Sequence, residues 1–177
     1  MLTIDGAFRE SVRKYPDAIA LKYYHETQWE FISYEELNNA VMEAACGFAD
    51  MGLGCDSKVA VMSENRPEWI VTFLASLTAG AVSIPIDSVL GEMETSHILN
   101  HSEADTIVCS MRCYETVSRI LNELPHLKNI IIFDRNITIR RDQSGEGKGP
   151  GIVEKENTSI HKSFFSYDDL RIRGRSF

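Results

Sequence analysis

Two imidazoles stand four residues apart in His97-Ile-Leu-Asn-His101. That spacing stacks side chains one helical turn apart, and many zinc sites use it. Glu94, Glu103, Cys109 or Cys113 could complete such a set. The hydrolytic form of the motif needs a glutamate directly after the first histidine, where this chain has Ile98. The pair therefore reads as solvent-facing or helix-capping histidines and no metal is expected, with zinc ligation kept as the alternative that a zinc titration tests. Cys109-Ser-Met-Arg-Cys113 is not a C-x-x-C pair and has no second pair to complement it. Together with Cys46 and Cys55 these cysteines read as free thiols of a reducing compartment. Gly145-Glu-Gly-Lys-Gly-Pro-Gly151 could be mistaken for a phosphate cradle. It lacks both the Gly-Lys-Ser/Thr ending of a Walker loop and the strand that must precede a dinucleotide turn, so it reads as a flexible loop. The nucleophile elbow Gly-x-Ser-x-Gly does not occur, and the sequons at Asn136 and Asn157 have consequence only in an exported chain. From residue types and spacing alone, no catalytic residue is assigned and the cofactor-binding residues are unknown.

Chemistry of any kind needs a scaffold, and the composition describes an ordinary one. The 177 residues are 44% hydrophobic and 25% charged, as expected of one well-buried domain. Asp and Glu outnumber Lys and Arg by 26 to 18, for a formal charge of −8. A chain so charged repels phosphate backbones, which argues against a nucleic-acid partner. The N-terminus is broken by acidic residues before any secretory apolar stretch forms. The run Trp69 to Ile86 approaches the length of a membrane span, but Thr72, Ser76, Thr78 and Ser83 dilute it and Gly80 and Pro85 punctuate it. A buried helix followed by a buried strand explains it better.

The elements follow from periodicity. Ile4, Ala7, Phe8 and Val12 lie at helical spacing, ended by Tyr15-Pro16. Ile19–Tyr24 and Gln28–Ile32 flank a polar turn, as in a hairpin. Ser33-Tyr-Glu-Glu36 fits a capping box, and the helix it opens carries Leu37, Val41, Ala44 and Phe48 on one stripe before Gly52 stops it. Beyond it, strands at 58–62, 81–86, 106–110 and 129–133 alternate with helices at 67–79, 92–101 and 114–124. For the first of these helices Ser63 and Asn65 are the cap candidates and Pro67 occupies the first turn. This alternation predicts an α/β fold, with a parallel sheet flanked by helices on both faces and preceded by the N-terminal helix and β-hairpin. Residues 1–135 form that unit. Residues 136–177 read as a mobile polar loop and C-terminal tail in which Ser163–Leu170 could order as a last turn or short helix. Arg171-Ile-Arg-Gly-Arg175 is left basic and unsupported.

Five phrases in order resemble the N-terminal region of the AMP-binding, adenylate-forming acyl-CoA synthetases, most of all the long-chain fatty acid–CoA ligases. Phe31-Ile-Ser-Tyr-Glu-Glu-Leu37 is similar to the family's entry into its first long helix, and Gly47 to Gly54 to that helix's exit. Lys58-Val-Ala-Val-Met-Ser-Glu-Asn-Arg-Pro-Glu-Trp69 resembles the family's V-A-I-x-x-x-N-x-P-E-W phrase. Ala75 to Ile86 resembles A-x-x-x-A-G-A-V-x-V-P-L, and Glu92 to Ala104 the helix that follows. The motif residues Asn65, Pro67, Glu68, Trp69, Gly80 and Pro85 read as fold-specifying. Trp69 should fill core beneath the helix headed by Pro67, Gly80 should let that helix close onto the next strand, and Pro85 should end the strand.

The resemblance implies a partial adenylate-forming-enzyme N-terminal domain. It implies an intact enzyme that uses ATP, Mg²⁺ and CoA on a fatty acid or other carboxylic acid, in the cytoplasm and peripheral to a membrane. The family's phosphate loop and C-terminal domain have no counterpart in these 177 residues. The sequence reading therefore expects an N-terminal fragment that is inactive by itself and needs no cofactor. The alternative is a non-catalytic binding or assembly module that self-associates or pairs with the missing ligase portion.

Overall fold

In the computed structural model, which describes residues 3–134 and 162–175, Ser33 opens the longest helix by a reciprocal cap. Its hydroxyl accepts from the Glu36 amide at 3.2 Å while the Glu36 carboxylate accepts from the Ser33 amide at 2.8 Å. The helix it starts, α2 (Tyr34–Asp50), follows α1 (Ile4–Lys14) and a hairpin of β1 (Ile19–His25) and β2 (Gln28–Ser33). At its far end Gly52 takes φ +78°, a left-handed conformation in which glycine has no steric penalty.

Then come β3 (Lys58–Met62), α3 (Pro67–Thr78), β4 (Val82–Ile86), α4 (Glu92–Ser102), β5 (Thr106–Cys109) and α5 (Met111–Arg119). A 3₁₀ turn (Leu121–Glu123), β6 (Asn129–Ile132), β7 (Ser163–Ser166) and α6 (Tyr167–Gly174) complete the order. Strands β3 to β7 form one sheet in the order β4-β3-β5-β6-β7, parallel at every pairing. Alternation along each strand divides the core. Val59, Val61, Val108 and Ile131 pack with α2, α3 and α6, while Ala60, Met62, Ile107, Ile130 and Ile132 pack with α4 and α5. Strands buried on both faces read as continuous apolar runs for this reason. The long run Trp69–Ile86 divides into α3 and β4 around Gly80, whose φ is +87°. No helix among the described residues is long and apolar enough to cross a membrane.

Several expectations need correction. The N-cap of α3 is Arg66, without a side-chain cap bond; the Ser63 hydroxyl donates instead to the Glu64 carbonyl. Helix α5 begins three residues earlier than its periodicity implies, because Ser110 accepts from the Cys113 amide and caps it there. Strand β4 ends at Ile86, one residue past Pro85, as its apolar run implies; it is an edge strand, where a missing N–H removes no ladder bond.

Residues 163–166 pair in parallel with β6, and Arg171 to Arg175 are not unsupported. Arg171 donates to Glu43 at 2.6 and 2.9 Å, Arg175 to Glu43 at 3.1 Å, and Arg173 to Asp50 at 2.6 Å. Helix α6 also lies so close to α2 that a Cβ on Gly174 would meet the Glu43 carbonyl oxygen at 1.8 Å. The loop expected at Gly145–Gly151 and the sequons at Asn136 and Asn157 lie outside the described residues.

Candidate functional site

From β3 the chain moves to one side of the sheet for β4, then crosses back over β3 for β5. The crossovers diverge between β3 and β5, and a crevice outside the carboxyl ends of parallel strands at such a switch point is where ligands bind in open α/β sheets. The loops after β3, β5 and β6 meet there. Asp134, after β6, accepts from the Met111 amide at 2.6 Å and from Arg66 at 3.1 Å, and so ties all three loops together. Arg66 also donates to Glu68 at 3.0 Å and lies 5.1 Å from the centre of the Phe133 ring. Burial opposes the charge of Arg66, but Glu68 and Asp134 more than offset this, and the guanidinium is held above its ordinary value.

Arg112, at the start of α5, contrasts with it. Its side chain is 76% exposed and meets Glu64 only at 3.8 Å. The edge thus offers one cation locked into the scaffold and a second free to turn toward an anion. The Cys109 thiol lies behind this edge, fully buried, and burial pushes its pKa up, as it does for Cys113; neither is a ready nucleophile. The arrangement sets Arg66 and Arg112 against Glu64, Glu68 and Asp134 at one edge. Among the described residues it presents no activated nucleophile beside a base.

A small groove of about 220 Å³ adjoins the edge, between β1 and the start of α3. Leu21, Lys22 and Tyr23 form one wall; Asn65, Pro67 and Trp69 lie on the other. Four motif residues therefore gather at one place, since Glu68 lies beside them on Arg66. Trp69 does not fill the deep core; it is half-buried and stacks on Phe73 with ring centres 5.5 Å apart and planes 10° from parallel. Gly80 and Pro85 stand apart, Gly80 at the end of α3 and Pro85 in the edge strand. His97 and His101 lie exposed on α4, away from either cysteine. Among the described residues no group of three or more His, Cys, Asp or Glu side chains could hold a metal ion. Sequence reasoning missed Arg66, Arg112 and Asp134. Each is a charged residue within four positions of a strand's carboxyl end, a signal that was present, but only the strand order shows that the loops converge.

Fold and strand order together define a doubly wound α/β scaffold. The family described as AMP-binding enzyme matches residues 8–162, and the chain belongs to that family. It is 31% identical over 132 residues to the human long-chain-fatty-acid–CoA ligase ACSBG1, a match covering 74% of this chain and 18% of that protein. It is 28% identical over 112 residues to long chain acyl-CoA synthetase 8 of Arabidopsis thaliana, covering 63% of this chain and 16% of that one. Coronafacic acid ligase from Pectobacterium brasiliense superposes with a TM-score of 0.72 at 16% identity, over 95% of this chain and 29% of that chain. A long-chain-fatty-acid-CoA ligase from Archaeoglobus fulgidus gives 0.66 at 21% identity, over 75% and 27%. The chain spans less than a fifth of the length of the curated relatives it matches.

Proposed function

We propose that this chain supplies the N-terminal α/β layer of an ATP-dependent acyl-CoA ligase whose substrate is a fatty acid. In that reaction a carboxylate oxygen attacks the α-phosphorus of ATP and pyrophosphate leaves. The CoA thiol then attacks the acyl carbon of the adenylate, AMP leaves, and the thiol proton passes to solvent or a base. The family match over residues 8–162 carries the reading. The part assigned to this chain is structural and electrostatic: Asp134 and Arg66 fix the loops at the carboxyl edge, and Arg112 offers a charge to a phosphate-bearing ligand. Mg²⁺ serves this reaction by neutralising charge on the phosphates. Among the described residues no group of three carboxylates, histidines or cysteines would hold it.

The 177-residue chain is accordingly proposed to be inactive alone. Purified chain incubated with ATP, Mg²⁺, a long-chain fatty acid and CoA should release no AMP above the protein-free rate; robust acyl-CoA formation would overturn this. A second reading, an assembly module that pairs with another chain, is favoured by one observation. The outer face of the hairpin leaves Tyr24, Trp29 and Phe31 61%, 55% and 51% exposed, side by side. Sedimentation showing a strict monomer across the micromolar range would sink that reading.

A further inference from the structure

The histidine pair of α4 has no part in the reaction proposed for this chain. His97 and His101 project from the same exposed helical face, their rings nearly parallel at 13° with centres 5.8 Å apart. Neither imidazole has a hydrogen-bond or ion-pair partner among the described residues. Two imidazoles sharing one tetrahedral ion, with metal–nitrogen bonds of about 2.0–2.1 Å, place their ring centres roughly 5 Å apart. The observed pair comes within about 1 Å of that value. Rotation about exposed side-chain bonds supplies such a closure at little energetic cost. His101 also lies in the last turn of α4, where the negative end of the helix dipole favours a cation.

We propose that His97 and His101 form a two-imidazole surface chelate for a borderline divalent transition-metal ion of the Ni²⁺, Cu²⁺ or Zn²⁺ class, with water in the remaining positions. Imidazole nitrogen suits these ions, whereas Mg²⁺ and Ca²⁺ prefer oxygen donors and are not retained. No group of three candidate ligands exists among the described residues. The site is therefore an open and exchangeable one, unlike a closed structural centre. The exposure that made the pair look inert in the sequence is what gives an ion access to both rings.

The test titrates NiCl₂ into the full 177-residue chain by calorimetry. A Cys55→Ser background is used because the exposed Cys55 thiol competes for the same ions. One ion per chain with micromolar affinity is expected. His97→Ala and His101→Ala should each weaken binding at least tenfold, and His126→Ala, at an exposed histidine in the turn before β6, should leave it unchanged. Circular dichroism checks that the variants fold, which the exposure of both rings leads us to expect. Electron paramagnetic resonance of the Cu²⁺-loaded protein should show coupling to two imidazole nitrogens, falling to one in either variant. No binding heat at micromolar metal, or equal binding by wild type and both variants, would overturn the proposal.

Discussion

Replacing Gly174 by alanine sets two physical effects against each other. Helix propensity and the reduced freedom of the unfolded chain favour alanine by up to about 1 kcal/mol. Packing opposes it, because the new Cβ would sit 1.8 Å from the Glu43 carbonyl oxygen, 2.7 Å from its carbonyl carbon and 3.0 Å from the Gly47 nitrogen. All three are backbone atoms of α2, and none can rotate away. Helix α6 must therefore lift by on the order of 1.5 Å to restore an ordinary contact. Lifting uncovers Leu170 and Tyr167, both buried, and stretches the bonds from Arg171 and Arg173 to α2.

Overpacking of this kind costs about 1–3 kcal/mol, and partial exposure of a buried leucine adds about 1 kcal/mol. Set against a propensity gain of about 1 kcal/mol, the net loss is about 1–3 kcal/mol. For a chain of this size that lowers Tm by roughly 2–12 °C. Urea unfolding followed by tryptophan fluorescence, with thermal melts by circular dichroism, measures it. Gly47→Ala, whose Cβ would meet the Leu170 carbonyl oxygen at 2.1 Å, should behave alike. The double variant should lose less than the sum, because both changes break the same contact. An unchanged or raised Tm for Gly174→Ala would refute the reasoning outright.

Other outcomes follow from single contacts. Asp134→Ala strips the acceptor from the Met111 amide and one partner from Arg66 and should cost about 1–2 kcal/mol in urea melts; Asp134→Asn should recover part of it, and an unshifted midpoint for the alanine variant would count against the three-loop tie. Gly80→Ala forces a side chain into φ +87° and toward Cys55 Sγ at 3.2 Å, so a destabilisation of about 1–2 kcal/mol is expected where a neutral result would contradict the left-handed assignment. Burial pushes the Glu43 carboxyl up, but hydrogen bonds from Arg175 and Arg171 more than compensate and hold it below its ordinary 4.5. Because its folded pKa is depressed, Glu43 contributes stability above pH 4.5 that is lost as pH falls through the lower folded value. Glu43→Gln should flatten the stability profile on that acid limb, and parallel curves for the two proteins would argue against it.

Most of the fold was legible because it is locally encoded. The Ser33–Glu36 box, the stripe on α2 and the apolar runs of β3, β5 and β6 each carry their own signal. What was missed depends on partners far along the chain. Ser163-Phe-Phe-Ser166 is too short to announce a strand, and β6 beside it decides the matter. The three arginines of 171–175 look unsupported until Glu43 and Asp50 are known to face them. Trp69 was expected deeper than it lies, since a helix stripe does not reveal that the hairpin beside it leaves a groove. The family motifs marked Asn65, Pro67, Glu68 and Trp69, but the charged residues at the carboxyl edge became a candidate site only through strand order.

The joint between α2 and α6 also has a bearing on synthesis. Glu43 and Arg171 are 128 positions apart. At about 5–20 residues per second, α2 leaves the ribosome roughly 6–25 s before the helix that seals its Gly47 face has been made. During that interval a nascent chain carries α2 with Gly47 not yet covered by Leu170 and with Glu43 and Asp50 lacking their arginine partners. Chaperone occupancy on ribosome-bound chains should accordingly persist until the 171–175 arginines emerge, then fall.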